Sequence, residues 1–136
     1  MKTKSEPVEA GTSNAWGGYF ELQNNLNTTI YNLVVMHQCV GGSSASTGLV
    51  KQLGNNGNTS KVAFTTLSGK ADYWYVSFTD VNGLLWTANL HDDFHVGSNG
   101  HTVELSLHLN SDGAFGYLVV TIDGKSSSPQ KFDQNH

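Results

Sequence analysis

The sequence contains little cysteine and few basic residues, and each shortage argues against a class of protein. Its 136 residues include a single cysteine, Cys39, so an internal disulfide framework is excluded. Seven lysines, no arginine and eleven acidic residues give a net charge of −4, which argues against a nucleic-acid partner. No run of about 18 apolar residues occurs, so the sequence predicts no transmembrane segment.

The first 14 residues are small and polar, and we predict that residues 1–14 form a flexible tail. They lack the apolar segment of a secretory signal, which predicts a cytoplasmic protein unless it is exported by an unconventional route. Residues 15–136 have the length of one domain with one core.

Short apolar runs separated by Gly, Asn, Asp and Ser indicate β-structure, and no stretch sustains a helical period. The sequence therefore predicts an all-β, single-domain antiparallel β-sandwich of about eight short strands. The predicted strands are 19–23, 30–39, 48–53, 61–66, 72–79, 84–89, 102–109 and 117–122.

Two hairpins are predicted from turn residues. The turn at 80–83 should join strands 72–79 and 84–89, and the Asn-rich turn at 54–58 should join strands 48–53 and 61–66. Strand 30–39 should lie inside its sheet with both faces largely covered, and the segment 41–46 should be a loop.

No motif for catalysis can be recognised. Cys39 and His37 fall on one face of a core strand, where a buried structural cysteine is expected, and the phosphate-binding and nucleophile-elbow motifs are missing. The turns at 80–83 and 110–113 lack the acidic residue that completes a calcium loop. We therefore predict a protein that is not an enzyme and needs no cofactor.

A cluster of histidines and acids at 91–95 is the one candidate metal site. On an extended chain His91, Asp93 and His95 project to the same side, as metal ligands could. Nothing else in the sequence completes the coordination sphere, so an exposed polar segment is the preferred interpretation.

Aromatic residues provide the candidate ligand-binding residues: Trp16, Tyr73, Tyr75 and Trp86, with Asp92 beside them. Exposed rings next to Asn and Asp can stack on sugars or lie at a membrane interface. The alternative for any one ring is core packing, since Trp74 and Phe78 fall on the alternating core face and Trp86 could do so as well.

The stretch Asp72-Tyr73-Trp74 through Phe78, with Asn82-Gly83 and Trp86 and preceded by residues 24–37, resembles the up-regulated-in-Daf-2 domains. These small β-sandwich proteins are related in fold to the aegerolysins. The resemblance implies an acidic β-sandwich, often dimeric, with relatives that recognise particular membrane lipids. It implies no catalytic residue.

These observations favour a non-catalytic recognition protein that binds a glycan or a membrane-lipid headgroup. A structural or assembly protein that acts as a homo- or hetero-dimer through its exposed strand face is the alternative, and a metal-dependent hydrolase at His91–His95 is a distant third.

Overall fold

The chain forms two β-sheets that pack face to face in a computed structural model, which describes residues 15–39, 44–67, 72–92, 101–122 and 125–135. No helix occurs in these residues, so the predicted β-sandwich is confirmed. Their strands are β1 (Ala15–Asn25), β2 (Ile30–Cys39), β3 (Ser44–Ser46), β4 (Val50–Leu53), β5 (Val62–Leu67), β6 (Asp72–Thr79), β7 (Leu85–Asp92), β8 (His101–Leu109), β9 (Phe115–Ile122), β10 (Lys125–Ser126), β11 (Gln130–Lys131) and β12 (Asp133–Asn135).

Each sheet has six strands among the described residues, more than the four per layer expected from about eight strands. The first sheet runs β10-β9-β8-β1-β5, with β11 also on β9; the second runs β12-β7-β6-β2-β3, with β4 also on β2. The extra strands β3, β10, β11 and β12 have two or three residues each and are polar, so no alternation marks them in the sequence. The pair β1 and β8 is parallel, where antiparallel pairing was predicted throughout.

Alternation of apolar and polar residues builds the core between the sheets. In β6 the residues Trp74, Val76 and Phe78 are buried, and their neighbours point outward. In β8 the residues Val103 and Leu105 point inward in the same way. Apolar residues from β1, β2 and β9 complete one continuous core, and this burial is the main stabilising contribution to the fold.

The hairpin of β6 and β7 is confirmed, but the hairpin predicted for residues 48–66 is wrong. Strand β4 pairs with β2 in the second sheet, whereas β5 pairs with β1 in the first. The turn at 54–58 therefore carries the chain from one sheet to the other, and it is held by hydrogen bonds to β1 from Asn56 N to Asn24 O (2.6 Å) and from Asn24 N to Gly57 O (3.0 Å). Turn residues specify a change of direction, not the partner of the next strand.

Strand β2 differs from the prediction on its outer face. Asn32 has a positive φ of 52°, and the register with β6 shifts between Tyr31 and Val34. Beyond this irregularity Leu33, Val35 and His37 point into the core, while Met36 and Gln38 are exposed. The outer face of β2 is therefore open to solvent, where the prediction had it covered. The segment 41–46, predicted to be a loop, contains the short edge strand β3, which pairs with β2.

In the part of the chain that the structure describes, no helix is long and apolar enough to cross a membrane.

Candidate ligand-binding site

The outer face of the second sheet presents two tyrosines in a row. Tyr73 and Tyr75 alternate with the buried residues of β6 and so point away from the core, as predicted. In the neighbouring strands Met36 lies opposite Tyr75 on one side, and Asn89 lies opposite it on the other. Gln38 lies opposite Tyr73. These five residues, Met36, Gln38, Tyr73, Tyr75 and Asn89, line a shallow depression of about 390 Å³ that we call the tyrosine face.

The two rings of the tyrosine face have different environments. Tyr73 stacks on His91 of β7, with ring centroids 4.7 Å apart and planes inclined by 16°. Tyr75 is 36% exposed, and the neighbouring Met36 is 38% exposed. The stack fixes the orientation of the Tyr73 ring, while Tyr75 offers the more accessible surface to a ligand.

The lining of the tyrosine face is uncharged. It combines a thioether, two phenols and the side-chain amides of Gln38 and Asn89. Phenol and amide groups donate and accept hydrogen bonds, and an aromatic ring packs against an apolar surface. The arrangement is chemically suited to a neutral ligand that has both hydroxyl groups and C–H faces.

Trp86 points to the other side of the second sheet, toward the core, and lies apart from the tyrosine face. It is half-buried and packs on Phe115 with ring centroids 5.0 Å apart. Its Nε1 donates a hydrogen bond to Asp80 Oδ2 at 2.9 Å. Because the indole is held by the core and by Asp80, the structure gives Trp86 a packing role at this end of the sandwich.

Asp80 organises the turn that joins β6 and β7. Its Oδ1 accepts hydrogen bonds from the backbone N–H groups of Asn82 (2.8 Å) and Leu84 (3.0 Å). Burial raises the pKa of this carboxyl group, but the hydrogen bonds from Trp86 and from the backbone of Leu84, Asn82 and Gly83 prevail and lower it below 3.8. The charged carboxylate is therefore the form that the fold stabilises.

An Asp80→Asn variant should be less stable by about 1–3 kcal/mol at neutral pH, because one oxygen acceptor becomes a donor that faces N–H groups. Since the pKa of Asp80 is lowered on folding, its contribution is fully present above the unfolded pKa and is lost as the pH falls through the folded value. Urea unfolding at neutral and acidic pH should show a difference between variant and native protein that shrinks in acid. A difference that grew in acid would contradict this account.

Of the other candidate residues, His91 lies beside the tyrosine face, where it stacks on Tyr73. Trp16 lies on β1 in the opposite sheet, where its backbone pairs with Thr66. Asp92 ends β7, where it pairs with Asp72. Asp93 and His95 lie outside the described residues, and so the metal interpretation is untested there. Within the described ranges, no group of three or more His, Cys, Asp or Glu side chains is placed to hold a metal ion.

A buried polar pair that the sequence did not reveal lies beneath the tyrosine face. His37 Nε2 is 2.7 Å from Asp72 Oδ1, and the two side chains are 0% and 2% exposed. The imidazole packs between Phe64 and Trp74, with ring centroids 4.7 and 4.5 Å away. Cys39, also buried as predicted, pairs with Asp72 across the strands. Solvent does not reach these side chains, so we assign the pair a structural role.

Sequence reasoning also missed three residues of the tyrosine face, Met36, Gln38 and Asn89. Each is unremarkable in its own segment and becomes part of the site only through the register of β2, β6 and β7. The alternation of β2 could have identified Met36 and Gln38, since it places them on the face opposite His37 and Cys39.

No protein-family model matches this chain, and no curated protein matches it.

Proposed function

We propose that this protein is a non-catalytic recognition protein that binds a glycan, either free or as the headgroup of a membrane lipid, on its tyrosine face. The observation that carries the proposal is the exposed Tyr75 ring, set in a depression with Gln38 and Asn89 on a rigid sheet. A sugar ring presents C–H groups that can pack on an aromatic face and hydroxyl groups that amides can bind.

The charge of the protein supports a neutral ligand over an anionic one. The five lining residues include no lysine, and the whole chain has no arginine and a net charge of −4. Binding to an anionic membrane depends on clusters of basic residues near the surface. A glycan or the sugar headgroup of a glycolipid needs no such cluster.

The dimensions of the site favour a short segment of a glycan. A depression of about 390 Å³ lies near the lower end of the range for small-molecule sites, about 300–1,000 Å³. Its position on strands of a packed sheet keeps the rings and amides in place before the ligand arrives, so little ordering is needed on binding.

Replacing Tyr75 with alanine is expected to abolish most of the glycan binding, because it removes the accessible ring of the tyrosine face. Loss of one such stacking residue should weaken the affinity at least about tenfold. Binding is measured first on a glycan array, and then by pelleting with neutral vesicles that do or do not contain a glycolipid. Tyr19→Ala is the matched control, since Tyr19 is 48% exposed but lies on the opposite sheet.

The outcomes separate the sources of the ligand. An array signal that free saccharide displaces indicates a lectin, whereas pelleting that persists in free saccharide supports a lipid binder of the kind that the resemblance to the up-regulated-in-Daf-2 domains implies. If Tyr75→Ala binds as well as Tyr19→Ala, the tyrosine face is not the site.

A second candidate function is assembly of two copies through the same face. Met36 and Tyr75 are adjacent, exposed and uncharged, and an uncharged face lets two acidic copies approach without repulsion at the contact. Analytical ultracentrifugation distinguishes assembly from recognition. A dimer that the Tyr75→Ala substitution dissociates would favour assembly. A monomer at high concentration excludes the self-association.

A further inference from the structure

A second depression of about 270 Å³ lies on the outer face of the first sheet, on the opposite side of the sandwich from the tyrosine face. Its lining includes two carboxylates, Glu21 of β1 and Glu104 of β8. We call this depression the carboxylate groove. It has no part in the function proposed above, and its ligand is inferred from different residues.

The parallel pairing of β1 and β8 brings the two carboxylates together. Glu21 and Glu104 are directly paired across the two strands, and both point outward because the residues beside them in each strand are buried. Directly paired side chains of neighbouring strands stand only about 5 Å apart at their bases. Among the described residues neither carboxylate has a hydrogen bond or an ion pair.

This pairing selects the charge of a ligand. Like charges directly opposite each other on neighbouring strands repel, and no described lysine lines the groove to offset the repulsion. A cation between the carboxylates would convert this repulsion into two attractive contacts. Among the described residues no group of three or more His, Cys, Asp or Glu side chains is placed to hold a metal ion, and the groove offers two carboxylates only.

The uncharged polar residues that line the groove indicate which neutral groups the ligand carries. The side-chain amides of Gln23, Asn25 and Asn58 also line the groove, and Gln23 and Asn58 are held together by a bridge between their backbones. Amide groups of this kind bind hydroxyl groups by donating and accepting hydrogen bonds. The groove therefore offers positions for neutral polar groups next to a position for positive charge.

One wall of the groove is an ordered imidazole. His108 Nε2 lies 2.7 Å from Ser106 Oγ, and the ring stacks on Tyr117 with centroids 5.2 Å apart and planes inclined by 20°. Burial lowers the pKa of His108 from its ordinary value, which favours the uncharged ring, and an uncharged ring does not repel a cation.

We propose that the carboxylate groove binds a small ligand that carries a protonated amine beside hydroxyl groups, as an amino sugar does. The ammonium lies between Glu21 and Glu104, and the hydroxyl groups bond to the amides of Gln23, Asn25 and Asn58. The volume of about 270 Å³ is of the size of a small ligand such as one sugar unit.

The test is calorimetric titration of the full chain with glucosamine and, in parallel, with glucose, which lacks the amine. Glucosamine should bind saturably, and glucose at least about tenfold more weakly, since charge-assisted hydrogen bonds are the stronger contacts. Glu21→Gln and Glu104→Gln should each weaken glucosamine binding about tenfold. Asp133→Asn removes an exposed carboxylate from the other sheet and should have no effect.

Equal affinity for glucose and glucosamine, no saturable binding, or native affinity in both glutamine variants would each overturn the proposal. Tyr75→Ala separates this site from the tyrosine face, because it should leave glucosamine binding unchanged. A loss of glucosamine binding in Tyr75→Ala would place the amine on the tyrosine face and would also overturn the assignment to the groove.

Discussion

An Asp72→Ala variant is expected to be less stable than the native protein by about 3–5 kcal/mol, the cost of removing one partner from a buried pair. The Asp72 carboxylate lies 2.7 Å from His37 Nε2 in the core. The other ring nitrogen, His37 Nδ1, is buried without a hydrogen-bond partner among the described residues. The variant would leave the imidazole without this acceptor in an apolar environment. Urea unfolding of the two proteins measures the difference.

Asp133→Ala provides the control for Asp72→Ala, because it also removes a carboxylate, but from an exposed position on the edge strand β12. It should change the free energy of unfolding by no more than about 0.5 kcal/mol. A double-mutant cycle with His37→Leu should show that the two buried substitutions together cost less than the sum of their separate effects. Equal effects of Asp72→Ala and Asp133→Ala would contradict the structural role of the pair.

The second large effect is expected at Asn24, which is fully buried where β1 ends. Its Nδ2 donates to the carbonyl oxygens of Thr28 (2.8 Å), Leu53 (3.1 Å) and Gly54 (3.1 Å), and its Oδ1 accepts from Leu26 N (2.9 Å). This one side chain therefore joins β1 to the turn at 26–28 and to the chain that crosses between the sheets.

Asn24→Asp keeps the shape of the side chain but replaces its donor by a second oxygen. A carboxylate would then face three carbonyl oxygens, so we expect a loss of about 3–5 kcal/mol in the free energy of unfolding at neutral pH. Asn89→Asp introduces the same charge at an exposed strand position and should cost less than about 1 kcal/mol. Thermal unfolding of the two variants compares them directly, and similar melting temperatures would refute the role given to Asn24.

Much of the fold follows from local patterns in the sequence. The alternation Val103, Leu105, Leu107 predicts a strand with one buried face, and the turn at 80–83 predicts the pairing of β6 with β7, because both signals act between neighbouring residues. The pairings of β4 and β1 depend on residues far away in the chain. In the parallel pair β1 and β8, apolar and polar residues alternate as they would in an antiparallel pair, so the alternation does not reveal the direction of pairing.

The candidate site was predictable only in part, for the same reason. Alternation in β6 is sufficient to place Tyr73 and Tyr75 outward, but Met36 and Asn89 join them through pairing across three strands. Trp86 was proposed as an aromatic ring near Asn and Asp, with core packing as the alternative; the structure orients it toward the core, where its Nε1 donates a hydrogen bond to Asp80 Oδ2. The buried pair of His37 and Asp72 links residues 35 positions apart and has no local signature.

Binding of a neutral glycan on the tyrosine face can be tested by a backbone-amide NMR titration with the strongest ligand from the array that carries no amine. The largest chemical-shift changes should occur at Met36, Gln38, Tyr75 and Asn89, on three neighbouring strands of the second sheet. Changes confined to the first sheet, around Tyr19 and β8, would contradict it.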